Sequence, residues 1–579
     1  MASLRTEGAD PPRRNRRRRY ERRLAVQLAL LYRPDAARRL ATELLDLARP
    51  PTAATVGGRG DAMLIVYADS VVARGRPPLE TLGEFTKRHI GGAFGRLHVL
   101  PFFPSSSDDG FAVIDYRRVD HRLGDWENVR TLTQRYDTMF DLVINHCSRE
   151  SLWFADFVGG RDPGRHYFIT LPEESDTSAV VRPRTSPLVS AVHTYAGIRH
   201  VWNTFSDDQV DLDFTNPAVL REFANILFFY VAQGARLIRL DAIAFLWKRL
   251  GTSCMSLPET HAVVRIMRLL LDYARAGVRL LTETNVPHEE NVSYFGDGDE
   301  AHMVYQFSLS PLLLYSYAFG NASYLTAWAA KLAPPPDGCT YANMFASHDG
   351  IGLRPLEGLV PDGEVARLVE RMHERGGFVT LRQASRRESG DGLKPYEINI
   401  APFSAFGGRS GDLNAYLAAH TLLVSFQGVP AIYIHSLLAT PNDLELVEAT
   451  GRTRSINRGQ WQLSDLEERL ADPSSDQSRA LNHFKRILAL RSAQEAFGTT
   501  ARQRILASPP GAFVMRREGS KQAILVVASV LDHPQRLPCA GLGIDPATYV
   551  DLLSGSDVSV AADGIPLRPH QVLWLDVSG

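Results

Sequence analysis

The chain has 579 residues, a formal net charge of −1, 44% apolar residues and 22% charged residues. It is long enough for one large domain with attachments, and its near-neutral balance gives no case for nucleic acid or a membrane as the main partner. Cys147, Cys254, Cys339 and Cys539 lie far apart and form no Cys/His cluster, which suits a reduced cytoplasmic protein without a zinc site.

Residues 1–58 read as a basic, helical extension. The run "RRNRRRRYERRLAVQLALLYRPDAARRL" imitates a signal peptide, but its apolar part is short, is interrupted by Gln27 and leads to no cleavage site. It is expected to be a solvated tail leading into an amphipathic helix. No run of about 18 apolar residues, the length of a membrane span, occurs.

From residue 59, short apolar runs alternate with helical stretches, the pattern of βαβ units and a parallel sheet. The runs are "AMLIVYAD", "RLHVLPFF", "FDLVIN", "RLIRLDAI", "RLLTETN", "MVYQF" and "YANMFASH". They fall in two barrel segments, 59–146 and 216–350, and a third segment, 412–495, is expected to complete the barrel. Two insertions divide these segments: 147–215, rich in Pro, Arg and Ser, follows the third strand, and 351–411, with "RRESGDGLKPYEIN", follows the seventh. Segment 147–215 holds no acidic cluster that demands calcium. Residues 496–579 read as a small β-sandwich.

Several strands end in polar residues, and in a barrel those ends form the active-site rim. They supply Asp108, Asn145, His146, Arg239, Asp241, Glu283, His348 and Asp349. Arg239 and Asp241 stand two apart in a strand and so share a face. The cation is expected to keep Asp241 ionised. Glu283, among apolar groups and other carboxylates, is expected to hold a proton at neutral pH. One carboxylate to attack a sugar carbon and one to protonate the leaving oxygen is what retaining glycoside cleavage requires.

"DLVINH", "LIRLDAIAF", "LLTETN" and "FASHDG" match, in order, the four short motifs of glycoside hydrolase family 13, the α-amylase superfamily, which the chain resembles after about residue 60. The resemblance implies a (β/α)8 barrel with two inserted loop domains, a helical N-terminal extension and a C-terminal β domain. It implies Asp241 as nucleophile, Glu283 as general acid/base and Asp349 as the third carboxylate. It also places Asp108, His146, Arg239, His348 and Arg458 (in "RSINR") around a glucosyl unit.

"HVLPFFPSSSDDGFAVIDYRRVD", "TFSDDQVDL", "GTSC", "HDGIGL" and "GVPAIYI" are similar to the sucrose phosphorylase branch of that family. That likeness implies Phe205 and Gln209 at the mouth of the glucosyl site and Arg184, in "RPRTSPL", on inorganic phosphate. At Asn285 the chain departs from the sucrose enzymes, which carry a fructose-contacting histidine there. The run from Glu283 to "MVYQFSL", together with "KPYEINI" and its Tyr396, is most similar to the glucosylglycerate phosphorylases, a sister group. Glycerate is small and anionic, so Arg386, Arg387, Lys394, Asn285 and His288 are candidates for its pocket.

The expected reaction is reversible, retaining phosphorolysis of an α-glucoside, first of all 2-O-(α-D-glucopyranosyl)-D-glycerate, to α-D-glucose 1-phosphate and D-glycerate. Sucrose or sucrose 6-phosphate phosphorolysis and simple α-glucoside hydrolysis are the alternatives. No metal or organic cofactor is expected, and inorganic phosphate is the co-substrate. Nucleic acid and membrane are not expected as partners, and a cytoplasmic monomer or homodimer is.

Overall fold

The computed structural model describes residues 11–49, 60–383, 392–408 and 413–578. Eight parallel strands close into a barrel: β1 Ala62–Val66, β2 Phe94–Val99, β3 Asp137–Val143, β4 Leu237–Asp241, β5 Arg279–Thr282, β6 Met303–Tyr305, β7 Thr340–Met344 and β8 Val429–Tyr433. Each of the seven apolar runs overlaps one of the first seven strands. The eighth, "VPAIY", is hidden in the sequence because Pro430 removes a ladder donor from a central strand. It still closes the barrel, pairing Ala342 with Val429 on one side and Met63 with Ala431 on the other.

The helices lie outside this ring and bury apolar stripes against it. Helix α3, Pro217–Ala232, shows how such a helix starts: Pro217 has no N–H to leave unbonded, and the Asn216 side chain accepts from the Ala218 N–H. Two helices precede the barrel, α1 Pro11–Leu28 and α2 Pro34–Leu47. They pack on each other, α1 also on α4, Pro258–Ala274, and α2 on α3. Leu24, Leu28, Ala41 and Leu44 are fully buried there, and each buried Leu contributes about 1.5–3 kcal/mol. The arginine-rich stretch from residue 11 is therefore a docked helix rather than a solvated tail, because its leucines cover apolar surface on the barrel wall.

The first insertion folds as two small antiparallel sheets. One joins His146–Ser148 to Gln209–Asp211, and the other holds Thr170–Leu171, Gly197–Trp202 and Val189–Thr194. It is tied to the barrel by a buried polar knot. Asp211 accepts from Thr204 N–H at 2.9 Å, Thr204 Oγ1 at 2.6 Å and Asn145 Nδ2 at 3.1 Å, and Lys248 Nζ lies 2.5 Å away. The same ammonium donates to Asn145 Oδ1 at 2.7 Å. The second insertion is a three-stranded sheet of Ile351–Gly352, Leu393–Asn399 and Phe378–Gln383 with the helix Asp362–Glu374.

The C-terminal region is a six-stranded antiparallel sheet with a two-stranded ribbon, Gln535–Leu537 and Ile565–Leu567, packed over one face. Two buried guanidinia tie it to the barrel: Arg517, on the sheet, donates to the carbonyl of Ser425, and Arg491, on the last barrel helix, donates to those of Val424, Gly428 and Phe497. Helix α5, Leu413–Ser425, ends there, and its last carbonyls would otherwise lack partners. The cap sets the chain's entry into β8.

Lys248→Met leaves the Asp211 carboxylate buried without its cation, at a cost of about 3–5 kcal/mol. Thermal melting should show lower stability, and adding Asp211→Asn should recover part of it; equal melting of wild type and Lys248→Met would refute the knot's role.

Candidate active site

The floor of the site is built by three adjacent strands. Arg239, in register with Asp141 of β3, is buried on β4. Its Nη1 donates to Asp141 Oδ1 at 2.6 Å and to Asp241 Oδ1 at 2.7 Å, while its Nη2 lies 4.0 Å from Glu283 Oε2. His98 of β2 closes the row, with Nε2 2.7 Å from Asp141 Oδ2. Directly after Asp241, Ala242 takes a left-handed φ of 49°, uncommon for a residue with a Cβ. In that conformation its N–H donates to Glu283 Oε2 at 2.9 Å. Asp241 and Glu283 are thus held side by side, by one guanidinium and one turn of backbone.

The ionisation of this row differs from the simple expectation. Burial alone would raise Asp141, but the charges and hydrogen bonds of His98 and Arg239 hold it at about 2. Asp241 goes the other way: burial raises it, Arg239 opposes, and the nearby charges of Glu283, Asp141 and Asp349 carry it well above the usual carboxylate range. Against the expectation, Arg239 does not keep Asp241 low, because burial is the larger effect and the guanidinium is shared with a second, deeper carboxylate. Glu283 is raised, first by burial and then by Asp349, against Arg239. Its direction is the one read from the sequence.

Past β7, Asp349 meets a different environment. Burial would raise it, but Arg454 Nη1 at 2.7 Å, then His348 and the more distant Arg239 and Arg184, hold it far below the usual range. Arg454 is itself fixed from behind by Glu397 of the second insertion, with Nε to Oε1 at 2.6 Å and Nη2 to Oε2 at 2.8 Å. This is a bidentate pair, which constrains orientation as well as position. Burial lowers His348 to about 4, so it is a neutral ring; it stacks on Phe111 with centroids 4.8 Å apart.

The opposite wall carries hydrogen-bonding and aromatic side chains. Gln209 Nε2 donates to Asp108 Oδ2 at 3.0 Å and lies 3.0 Å from His146 Nε2. His146, its pKa lowered chiefly by burial, packs against Phe205, which in turn meets Phe245 edge-on. Asp108 and Asp109 both hold left-handed backbones, further strain gathered at this rim.

At the mouth, Arg184 lies over the Tyr396 ring, 6.0 Å from its centroid, so that one residue from each insertion meets there. Burial pushes the Tyr396 hydroxyl up to about 12. Arg184 forms no ion pair or hydrogen bond among the described residues. Asn285 also lines the cavity, and among the described residues its buried Oδ1 has no hydrogen-bond partner. A Cβ at Gly352 would stand 2.6 Å from that oxygen, so a side chain there would displace the Asn285 amide.

Eleven of the expected residues therefore line one cavity: Asp241, Glu283, Asp349, Asp108, His146, Phe205, Gln209, His348, Arg184, Asn285 and Tyr396. Arg239 lies beneath it. Arg458 does not line it: its Nε donates to the His348 carbonyl at 2.9 Å and its guanidinium pairs with Asp109, although its Nη2 stays 4.0 Å from Asp349 Oδ1. Arg454, four residues earlier and the first letter of the quoted "RSINR", faces the cavity instead. Lys394 sits two residues, about 7 Å, farther out along its strand than Tyr396 and is not part of the lining. His288 packs edge-on against Trp328. Arg386 and Arg387 lie outside the described residues. Besides Arg454, sequence reading passed over Glu397, Phe111, Phe245, His98 and Asp141. Glu397 and Asp141 lay inside quoted stretches, but nothing in a single sequence shows that their partners are 57 and 98 residues away.

Arg454→Lys keeps the charge and loses the fork that holds Asp349 against Glu397. The expected result is a fall in kcat/KM of about 10²-fold, as for a misplaced active-site group, with an unchanged melting profile; wild-type kinetics would refute the arrangement's importance.

The α-amylase catalytic domain matches residues 93–334. Glucosylglycerate phosphorylase of Allomeiothermus silvanus is 42% identical over 522 residues, covering 89% of this chain and 91% of that one. Glucosylglycerate phosphorylase of Spirochaeta thermophila is 41% identical, with 89% of both chains covered. Among solved structures, sucrose 6F-phosphate phosphorylase from Thermoanaerobacter thermosaccharolyticum superposes with a TM-score of 0.72 at 27% identity, over 83% of this chain and 95% of that one.

Proposed function

The chain belongs to the α-amylase superfamily, in the branch of the glucosylglycerate and sucrose phosphorylases, and on that premise we propose how its barrel mouth works. It is a hexosyltransferase that cleaves 2-O-(α-D-glucopyranosyl)-D-glycerate with inorganic phosphate, giving α-D-glucose 1-phosphate and D-glycerate. No metal or organic cofactor takes part in the proposed steps.

Asp241 attacks the anomeric carbon while Glu283 gives its proton to the leaving glycerate oxygen. The glucosyl–Asp241 ester is then opened by phosphate from the face glycerate left, with the Glu283 carboxylate receiving the phosphate proton. Two inversions retain the α configuration. Burial and crowding of the carboxylates supply the acid: the pair cannot cheaply carry two negative charges, so it keeps one proton. Asp349, ionised by Arg454, grips the sugar hydroxyls and stabilises the positive charge that develops on the ring. Asp108, His146 and His348 surround the glucosyl unit, with Phe205 and Gln209 at its mouth. Asn285 Oδ1 accepts from a glycerate hydroxyl.

The observation that carries phosphorolysis over hydrolysis is Arg184, a guanidinium at the mouth of a carboxylate-rich cavity with no protein counter-charge in contact. Its fork matches a phosphate oxygen pair. Glycerate is preferred to fructose as the acceptor on the identities to the two glucosylglycerate phosphorylases.

Release of α-glucose 1-phosphate from glucosylglycerate, sucrose and sucrose 6-phosphate, each with and without phosphate, tests the reading. Phosphate-dependent release from glucosylglycerate is expected, and phosphate-independent glucose release would overturn it. Asp241→Asn should cut turnover by roughly 10⁴-fold or more with the fold intact. Arg184→Ala should raise the phosphate KM about 10- to 100-fold, the worth of a charge-assisted hydrogen bond; an equal loss of hydrolysis and phosphorolysis would remove phosphate from its role. With Asp241 required ionised and Glu283 protonated, kcat/KM should be bell-shaped in pH. The acid limb should lie above the ordinary aspartate range, since activity is lost as pH falls through a raised pKa; a flat acid side down to ordinary aspartate values would contradict it.

A further inference from the structure

The glucoside chemistry leaves the arginine-rich helix α1 unused. Its inner face is fully committed: Arg16 donates to the Asp272 carbonyl at 2.8 Å, Arg17 pairs with Asp46 at 2.7 Å, Tyr20 packs on Tyr273, and Leu24 and Leu28 are buried. The one acidic residue, Glu21, already accepts from the Thr42 hydroxyl. The outer face is different. Arg18, Arg22 and Val26 follow at four-residue steps with Arg19 beside them, and all four are exposed. Among the described residues, Arg18, Arg19 and Arg22 have no ion pair or hydrogen bond through their side chains. Val26 is 64% exposed and Leu30, just past the helix, 56%.

This face works against its own helix. Arg18 with Arg22, and Arg19 with Arg23, are like charges at i,i+4, and no acid in the first turn offsets the positive helix end. A chain that breaks local rules without internal compensation does so where something outside compensates.

We propose that the outer face of α1 docks on an anionic phospholipid surface. Its four guanidinia, Arg18, Arg19, Arg22 and Arg23, meet lipid phosphates, and Val26 and Leu30 meet the apolar boundary beneath the headgroups. The shape favours a flat surface. Leu24 and Leu28 hold α1 lengthwise on the barrel wall, so only one side is free. It cannot enter the major groove of DNA, which takes a whole helix, nor the deep, narrow one of RNA. Tyr20, the one aromatic residue of α1, is half-buried against Tyr273, so no ring is offered to a stacked base. None of these residues lines the active-site cavity.

The test is co-sedimentation of the full chain with phosphatidylcholine vesicles, with and without phosphatidylglycerol, over a series of salt concentrations. Binding to the anionic vesicles alone, weakened by salt, is expected. The Arg18→Gln, Arg19→Gln, Arg22→Gln variant should lose about 100-fold in partition, near fivefold per charge, while its phosphorylase activity stays at wild-type level and so reports an intact fold. Val26→Ser should weaken binding without changing the salt slope. Failure to bind anionic vesicles at low salt overturns the proposal. So does binding the triple variant does not lose, or retention on RNA without retention on vesicles.

Discussion

The Arg239 guanidinium, buried on β4, holds two carboxylates with a single nitrogen, Asp141 at 2.6 Å and Asp241 at 2.7 Å. Three buried charges in a row are costly unless each keeps a partner. His98 at the far end completes the row, so Asp141 has two donors and Arg239 two acceptors. Asp241 at the near end has a guanidinium on one side and the cavity on the other. The row therefore delivers to the cavity one carboxylate that is rigidly aimed but incompletely neutralised.

That incompleteness gives the site its chemistry. A carboxylate fully paired by arginine is stable and a poor nucleophile. Asp241, with a share of one guanidinium and with Glu283 bonded to the next backbone N–H, sits where a proton added to the pair is favourable and a second negative charge is not. Asp349 is in the opposite condition, with Arg454 to itself on the cavity side and far below the usual range. Two kinds of carboxylate stand in one cavity, and their difference comes from their neighbours: other carboxylates crowd Asp241, whereas several cations face Asp349.

The sequence could say which residues carry the chemistry, because motifs at strand ends are local: "LIRLDAIAF" holds Arg239, Asp241 and the strand between them, and period-2 geometry does the rest. It could not say how Arg239 is shared. Asp141 is 98 residues away and reaches it only because β3 and β4 are neighbours in the barrel, so a reading confined to one strand assigned the whole cation to Asp241. The same limit hid Glu397 behind Arg454, and the family motif that put Arg458 at the glucosyl unit could not show its partners, the His348 carbonyl and Asp109. Strand β8 was hidden for another reason. Pro430 weakens the local signal, and the carbonyls at the turn that leads into the strand accept from two guanidinia distant in sequence, Arg491 and Arg517.

The two insertions are more than a cover for this floor. Strand Ile351–Gly352 follows Asp349 within two residues, and its pairing with Leu393–Asn399 brings Glu397 to Arg454 and Tyr396 to Arg184. The carboxylate assigned to the sugar and the arginine assigned to phosphate are thus fixed by neighbouring residues of one strand. A shift of that strand would disturb both ends of the substrate together. Gly352 sets the same strand against Asn285, so the leaving-group side is tied to it as well. Changing the acceptor within this fold therefore means altering the second insertion as a unit, because its side chains reach glucosyl, phosphate and acceptor positions through a single piece of sheet.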